Sequence, residues 1–229
     1  MMLNESAFFY IFITLFFYEI SALIQKKLKQ EWFNPLLMSI VFTVIMLLAG
    51  DIKYEHYEAS TSLIGYFLTP ATVCLAVPLY EKLGELKKNA AAILIGIFSG
   101  VITSALCICL VALIFNLDRE AVASFLPKSV TTAIGIGIAE ELGGIAALTA
   151  ISIIVTGVAG NILAEGVCKL FKITDPVAIG AAIGTSSHAG GTAKALQLGQ
   201  TQGAISGLAI AVAGILTVIV APIFMKIFI

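Results

Sequence analysis

The chain has 229 residues, 59% of them hydrophobic and only 12% charged, with a formal net charge of −1 and a mean hydropathy of +1.04. Soluble domains carry about 25% charged residues, so this chain cannot cover a water-facing surface and must use lipid as its solvent. The net charge says nothing about nucleic acid, and no basic cluster suggests it, so no nucleic-acid partner is expected.

Apolar runs then follow in order: Phe8–Ile24, Pro35–Gly50, Ser60–Tyr80, Asn89–Phe115, Ala121–Ala139, Gly144–Leu170, Val177–Ala195 and Gly203–Ile229. Each is near or above the length that spans about 30 Å of hydrocarbon as helix. The expected fold class is an all-α polytopic membrane protein with about seven or eight transmembrane segments. The first run follows Asn4 and Glu5 and precedes Lys26, Lys27 and Lys29. A cleavable signal peptide has the opposite order, so this reads as a retained helix with its N-terminus outside. Asp51–Glu58, which carries His56, then falls outside, Glu81–Lys88 inside and Asn116–Glu120 outside. Full crossings from there would leave Lys169 and Lys172 outside, against the positive-inside bias, which points to one re-entrant run. Residues 1–58 read as an N-terminal helix pair serving as scaffold or interface, and 59–229 as a core of broken helices.

The breaks are written in prolines. In "GYFLTPATVCLAVPLY", Thr69-Pro70 falls near the middle of its run, and "VASFLPKSVTTAIGIGIA" repeats the device at Leu126-Pro127. Proline removes a backbone donor and disfavours helix at the residue before it, yet suits a first helical position. The expectation is a half-helix starting at mid-membrane in each case. Asp175-Pro176 opens a third such segment at its edge, and the three form a weak internal repeat. Interrupted helices leave polar backbone that hydrocarbon cannot satisfy, so they belong where a cavity or ligand receives them. Half-helix N-termini suit anions, and discontinuous helices meeting at the midplane form the substrate sites of secondary transporters.

Charges at membrane depth cost about 2.5–3.5 kcal/mol on insertion scales, which makes each a candidate functional group. Lys128 directly follows Pro127, with Ser129, Thr131 and Thr132 behind it; the pattern fits an anion pocket, or an exposed loop. Glu19 and Glu165 read as interfacial or structural. Glu140-Glu141 is evenly a loop or a buried pair. Asn161, in mid-span beside Gly160, reads as an interhelical hydrogen bonder. In "GTSSHAGGTAKA", His188 has Thr185 and Thr192 on its helical face. Gly184, Gly190 and Gly191 let another backbone approach or let the helix break. The plain alternative for His188 is a buried ring satisfied by one carbonyl. Lys194 lies in the same stretch. Cys74, Cys107, Cys109 and Cys168 sit in apolar runs without metal-site spacing and read as small buried hydrophobes. Adjacent Ser187-His188 cannot form a nucleophile–base pair on a helix, and no phosphate-loop or dinucleotide fingerprint occurs, so no enzyme is expected.

"TPATVCLAVPLY", "LPKSVTT", "EELGGIAALTA" and "DPVAIGAAIGTSSHAGGTAKALQLG" followed by "GAISGLA" together resemble the LrgB/CidB family, which includes YohK-type inner-membrane proteins. The resemblance runs in unbroken order from about Leu63 to Pro222. It departs at Ala133, where many relatives carry proline, and at "SSHAGGT", where "ASHGIGT" is commoner. The resemblance implies a multi-pass protein of the bacterial inner membrane beside a small holin-like LrgA/CidA-type partner. It implies two functions: regulation of murein hydrolase activity and autolysis, and transport of small monocarboxylates such as pyruvate, glycolate and glycerate. The residues it points to are Pro70, Pro127, Ser129, Thr131, Thr132, Glu140 and Gly184–Thr192.

Residues and resemblance converge on a secondary-transporter-like site for a small carboxylate. It is expected to be lined by Thr69, Pro70, Lys128, Ser129, Thr131, Thr132, Thr185, Ser186, Ser187, His188, Gly190, Gly191 and Thr192. His188, Glu140 and Asn161 are the candidates for carrying a coupling proton or sodium ion, and no other cofactor is expected. Small-residue faces such as Gly203–Gly207–Ala211 allow a homodimer without demanding one.

Overall fold

Every regular element among the described residues is a helix, the local structure that satisfies its own backbone in hydrocarbon. The computed structural model describes residues 7–28, 35–67, 70, 80–81 and 83–228. Contacts divide the chain into two units, Met1–Cys74 and Leu75–Ile229, a boundary later than the expected 58/59.

The first unit holds α1 (Ala7–Leu28), α2 (Pro35–Ala49) and α3 (Tyr54–Tyr66). Phe17 packs against Phe42 with ring centroids 5.8 Å apart, joining α1 to α2. Tyr10 meets Tyr57 edge-on at 5.9 Å, and the Tyr57 hydroxyl lies 2.7 Å from Thr14 Oγ1, joining α1 to α3. These contacts correct the reading of Asp51–Glu58 as loop. Asp51, at φ 48°, closes α2, and helix resumes at Tyr54, so His56 is helical with its ring 5.7 Å from Tyr10. The chemical reason is His56 and Tyr57, whose rings meet Tyr10 of α1 edge-on.

The second unit contains α4 (Leu83–Phe115), α5 (Arg119–Phe125), α6 (Thr132–Glu141), α7 (Ala146–Leu170), α8 (Pro176–Leu198) and α9 (Gln200–Phe228). Among the described residues, four helices are long and apolar enough to cross a membrane: Phe8–Leu28, Lys87–Phe115, Ala146–Leu170 and Gln200–Phe228. Together with the shorter α2, the α5–α6 pair and α8, they make this a multi-pass helical membrane protein.

A stripe of Ile93, Ile97, Val101, Ala105 and Cys109 on α4 faces Ile205, Ala209 and Ala213 of α9 in one core cluster. The four-residue spacing of both sets places each on a single helix face. Helix α8 lies against α9 at backbone distance: a Cβ added at Gly180 would come 2.9 Å from Ile205 Cβ. Between membrane helices, such close approach replaces the hydrophobic drive that lipid cannot supply.

The interruption at Leu126-Pro127 is present, but helix does not restart there. Helix α5, capped by Asp118 through its bond to the Ala121 amide, ends at Phe125. Residues 126–131 form tight turns in which Lys128 N–H donates to Phe125 O at 3.1 Å and Val130 N–H to Pro127 O at 3.3 Å. Helix α6 starts only after Thr131, which is extended at φ −67°, ψ 151°. Leu126, Pro127 and Val130 are buried, so the turn is packed into the protein, which holds it against the helix that proline alone would restart. Ser124 ties this region to the next helix by accepting the Ile145 N–H at 2.7 Å. The expected half-helix at Thr69-Pro70 concerns Thr69 and residues 71–79, which lie outside the described residues; Pro70 itself is exposed.

Candidate functional site

In the second unit an open cavity of about 440 Å3 lies between α4, the α5–α6 turn and α8. Lys128 and Ser129 come from the turn, Thr185 and Ser186 from α8, and Ser99, Thr103, Ser104 and Cys107 from α4. Lys128 Nζ donates to Ser129 Oγ at 3.1 Å, and Ser129 Oγ lies 3.2 Å from Ser104 Oγ. Gly96 and Ala182 also line a neighbouring cavity of about 390 Å3 that reaches Asn89 and Asp175. The two form a groove between α4 and α8 with the lysine at one end. Behind Ser104, Ser129 and Thr185, towards α9, the space falls to about 10 Å3. That is about room for a single water, so the site is open on one side and closed on the other. In the first unit, a cavity of about 420 Å3 has no charged side chain in its wall, whereas the Lys128 cavity sets a cation among hydroxyls.

One cation among hydroxyl donors suits a small anion. Among the described residues no carboxylate pairs with Lys128, whereas Glu165 holds two lysines, Lys169 and Lys194, each at 2.8 Å. The Lys194 pair joins α8 to α7, which gives Glu165 the structural role expected of it.

The residues around His188 divide by face. Only Thr185 and Ser186 line the cavity. Helix α8 is broken at His188, at φ 40° and ψ −138°, a conformation that costs a residue with a Cβ about 1–3 kcal/mol. His188 is buried, and its ring points to α7, where Nε2 donates to Ile153 O at 2.9 Å. This is the satisfied-carbonyl alternative, with a backbone break added. Gly190 meets Gly157 so closely that a Cβ on Gly190 would lie 2.8 Å from the Gly157 Cα. Asn161 Nδ2 donates to Gly190 O at 2.8 Å, the interhelical bond read from its position. Thr192 Oγ1 lies 2.6 Å from Ser206 Oγ on α9. Ser187 fills the space beside Gly160, and Gly191 sits against Ile183 and Ser187.

Several expected site residues therefore fall elsewhere. Thr131 caps α6 and Thr132 begins it, with the Thr132 side chain exposed, and neither lines the cavity. Glu140 is exposed at the C-terminal end of α6. Ser187, His188, Gly190, Gly191 and Thr192 serve the α7 and α9 contacts, because the face of α8 that carries them points away from α4. Pro70 belongs to the first unit, and Thr69 lies outside the described residues.

The α4 wall was missed. Gly96, Gly100 and Ser104, with Ser99, Thr103 and Cys107 alongside, form two ridges of four-residue spacing inside an apolar run. Small and hydroxyl residues recurring at i, i+4 mark one helix face, so the signal was available. Among the described residues, no group of three or more His, Cys, Asp or Glu is placed to hold a metal ion.

The model of the LrgB-like family matches residues 14–227. "Antiholin-like protein LrgB" of Bacillus cereus (strain B4264) is 36% identical over 219 residues, covering 95% of each chain. The protein of the same name from Bacillus anthracis (strain CDC 684 / NRRL 3495) matches to the same extent. No solved structure matches. A family match along almost the whole chain, with relatives at this identity over the same length, makes the protein a member of the LrgB-like family.

Proposed function

We propose that this chain is an antiholin-like regulator of the bacterial inner membrane, restraining murein hydrolase activity and autolysis together with a small holin-like membrane partner. The observation that carries this reading is the 36% identity, along 95% of the chain, to proteins named antiholin-like. The test compares cells lacking the chain, cells expressing it, and cells expressing it without the holin-like partner. Faster autolysis and stronger murein hydrolase zymograms on deletion, reversed only when both proteins are present, support the reading. Identical lysis in all three sinks it.

A second reading is favoured by one specific feature, the cavity at Lys128. A single cation among Ser99, Thr103, Ser104, Ser129, Thr185 and Ser186 matches one carboxylate with neighbouring oxygens, which fits a carrier of small monocarboxylates. The α4–α8 groove would supply the approach, and a proton or sodium ion would be the coupling ion. Proteoliposomes holding only this chain test it by saturable uptake of labelled pyruvate or glycolate, reduced at least about tenfold by Lys128→Met. Uptake indistinguishable from protein-free liposomes removes the carrier and leaves the regulator intact.

A further inference from the structure

Helix α8 has no local reason to break where it does. Position 188 is neither proline nor glycine, and a residue with a Cβ strongly favours continuing the helix over φ 40°, ψ −138°. The break must be held by contacts from outside the helix. After it, Asn161 bonds Gly190 O, Gly190 rests on Gly157, and Lys194 pairs with Glu165, all on α7. Before it, Thr185 reaches across to α4, where its methyl occupies the space a Cβ at Gly100 would need at 2.7 Å. Both halves of α8 pack on α9, Gly180 against Ile205 and Thr192 against Ser206. Thr185 of the first half meets α4 while the second half is held to α7, and the angle between the halves is set at residue 188. The His188 ring bridges the break to α7 through its bond to Ile153 O. A Cβ at Gly157 would lie 2.8 Å from the ring's Cε1, so this glycine makes the seat for the ring.

We propose that His188 is a positioning residue for the Lys128 cavity: bonded to Ile153, it holds α8 broken and so sets Thr185 and Ser186 against Lys128 and Ser129. It does not line that cavity and acts through its neighbours two and three residues earlier. A continuous α8 could not keep the α4 contact of its first half and the α7 contacts of its second. Thr185 and Ser186 would then leave their places on the wall. The proposal deepens the carrier reading, since it gives that site a support, but the geometry it describes does not depend on transport.

Cys107 supplies the readout, because it lies on the cavity wall and is exposed, while Cys109 and Cys168 are buried. The full chain, carrying Cys74→Ser, is reconstituted in lipid nanodiscs. The rate of Cys107 modification by a small water-soluble methanethiosulfonate is measured without any carboxylate. His188→Ala, which loses the ring and disfavours the break, is expected to change that rate by about threefold or more. His188→Gly, which loses the ring but adopts the same backbone without strain, is expected to change the rate in the same direction and by less than His188→Ala. Gly157→Ala, which displaces the ring and leaves residue 188 intact, is expected to reproduce the alanine result and serves if His188→Ala does not fold. Unchanged rates in both His188→Ala and Gly157→Ala overturn the proposal, and so does a parent-like rate in His188→Gly, which would show that the ring is not what holds the break. Protection of Cys107 by pyruvate is read separately. If it is absent while the variant pattern holds, the positioning role stands and the anion reading falls.

Discussion

The two interruptions of the second unit, the turn at 126–131 and the break at His188, do similar work by different means. The first is marked locally, by proline at 127 and an extended Thr131 before α6, and its length is fixed by burial of Leu126 and Val130. The second is tertiary. Its residue has ordinary helical preferences, and the break exists because α7 offers a carbonyl, two glycines and an asparagine in the right places. A break of the first kind tolerates changes in its surroundings. One of the second kind is as stable as its contacts, which makes it the better candidate for a movable element.

That contrast can be broken by substitution, and the largest effect is expected at Gly157. Gly157→Val drives branched carbons into the His188 ring and the Gly190 backbone, and should destabilise by about 3 kcal/mol. Loss of monodisperse protein after detergent extraction, with a steep fall in melting temperature, is the expected result. Glu165→Leu comes next, because it strands Lys194, whose side chain is only 17% exposed. The expected loss is about 2 kcal/mol, discounted for partial exposure. The double variant with Lys194→Leu should recover most of it, and failure to recover would assign the effect to packing instead of charge. Pro127→Ala sharpens the comparison from the other side. It removes buried atoms at about 1.5 kcal/mol, yet the turn should persist, with Cys107 reactivity unchanged. A changed reactivity would show that this break, too, depends on its one special residue. Thr192→Val is the mildest, about 0.6–1 kcal/mol for its bond to Ser206, measured as a small shift in melting temperature.

This difference also explains what could be read from the sequence. Proline marks Leu126-Pro127, so an interruption was visible there, although the restart at Thr132 was not, since burial of Leu126 and Val130 fixes the length of the turn. Asn161 was legible because an amide in mid-span beside glycine has few other uses. Lys128, Ser129, Thr185 and Ser186, four of the expected site residues, line one cavity, as cations and hydroxyls in apolar runs need a common polar space. Sequence alone could not divide the residues around His188 between a cavity face and a packing face. The division depends on which neighbours flank α8, and only the fold supplies them. The α4 wall escaped notice because its serines and threonine carry no charge and sit in the longest apolar run, where each alone looks incidental. His56 was misplaced for a related reason: charged neighbours hid a tyrosine pair that needed an aromatic partner on α1.

The carrier reading turns on the Lys128 cavity as a place for a small carboxylate, and its most direct measurement is protection of Cys107. With Cys74→Ser as background, millimolar pyruvate or glycolate is added before the thiol reagent, and the modification rate is compared in the parent and in Lys128→Met. The carrier reading predicts saturable slowing in the parent and none in Lys128→Met, whose melting temperature should rise because Lys128 has no carboxylate partner among the described residues. No slowing in the parent, or equal slowing in both, would contradict it.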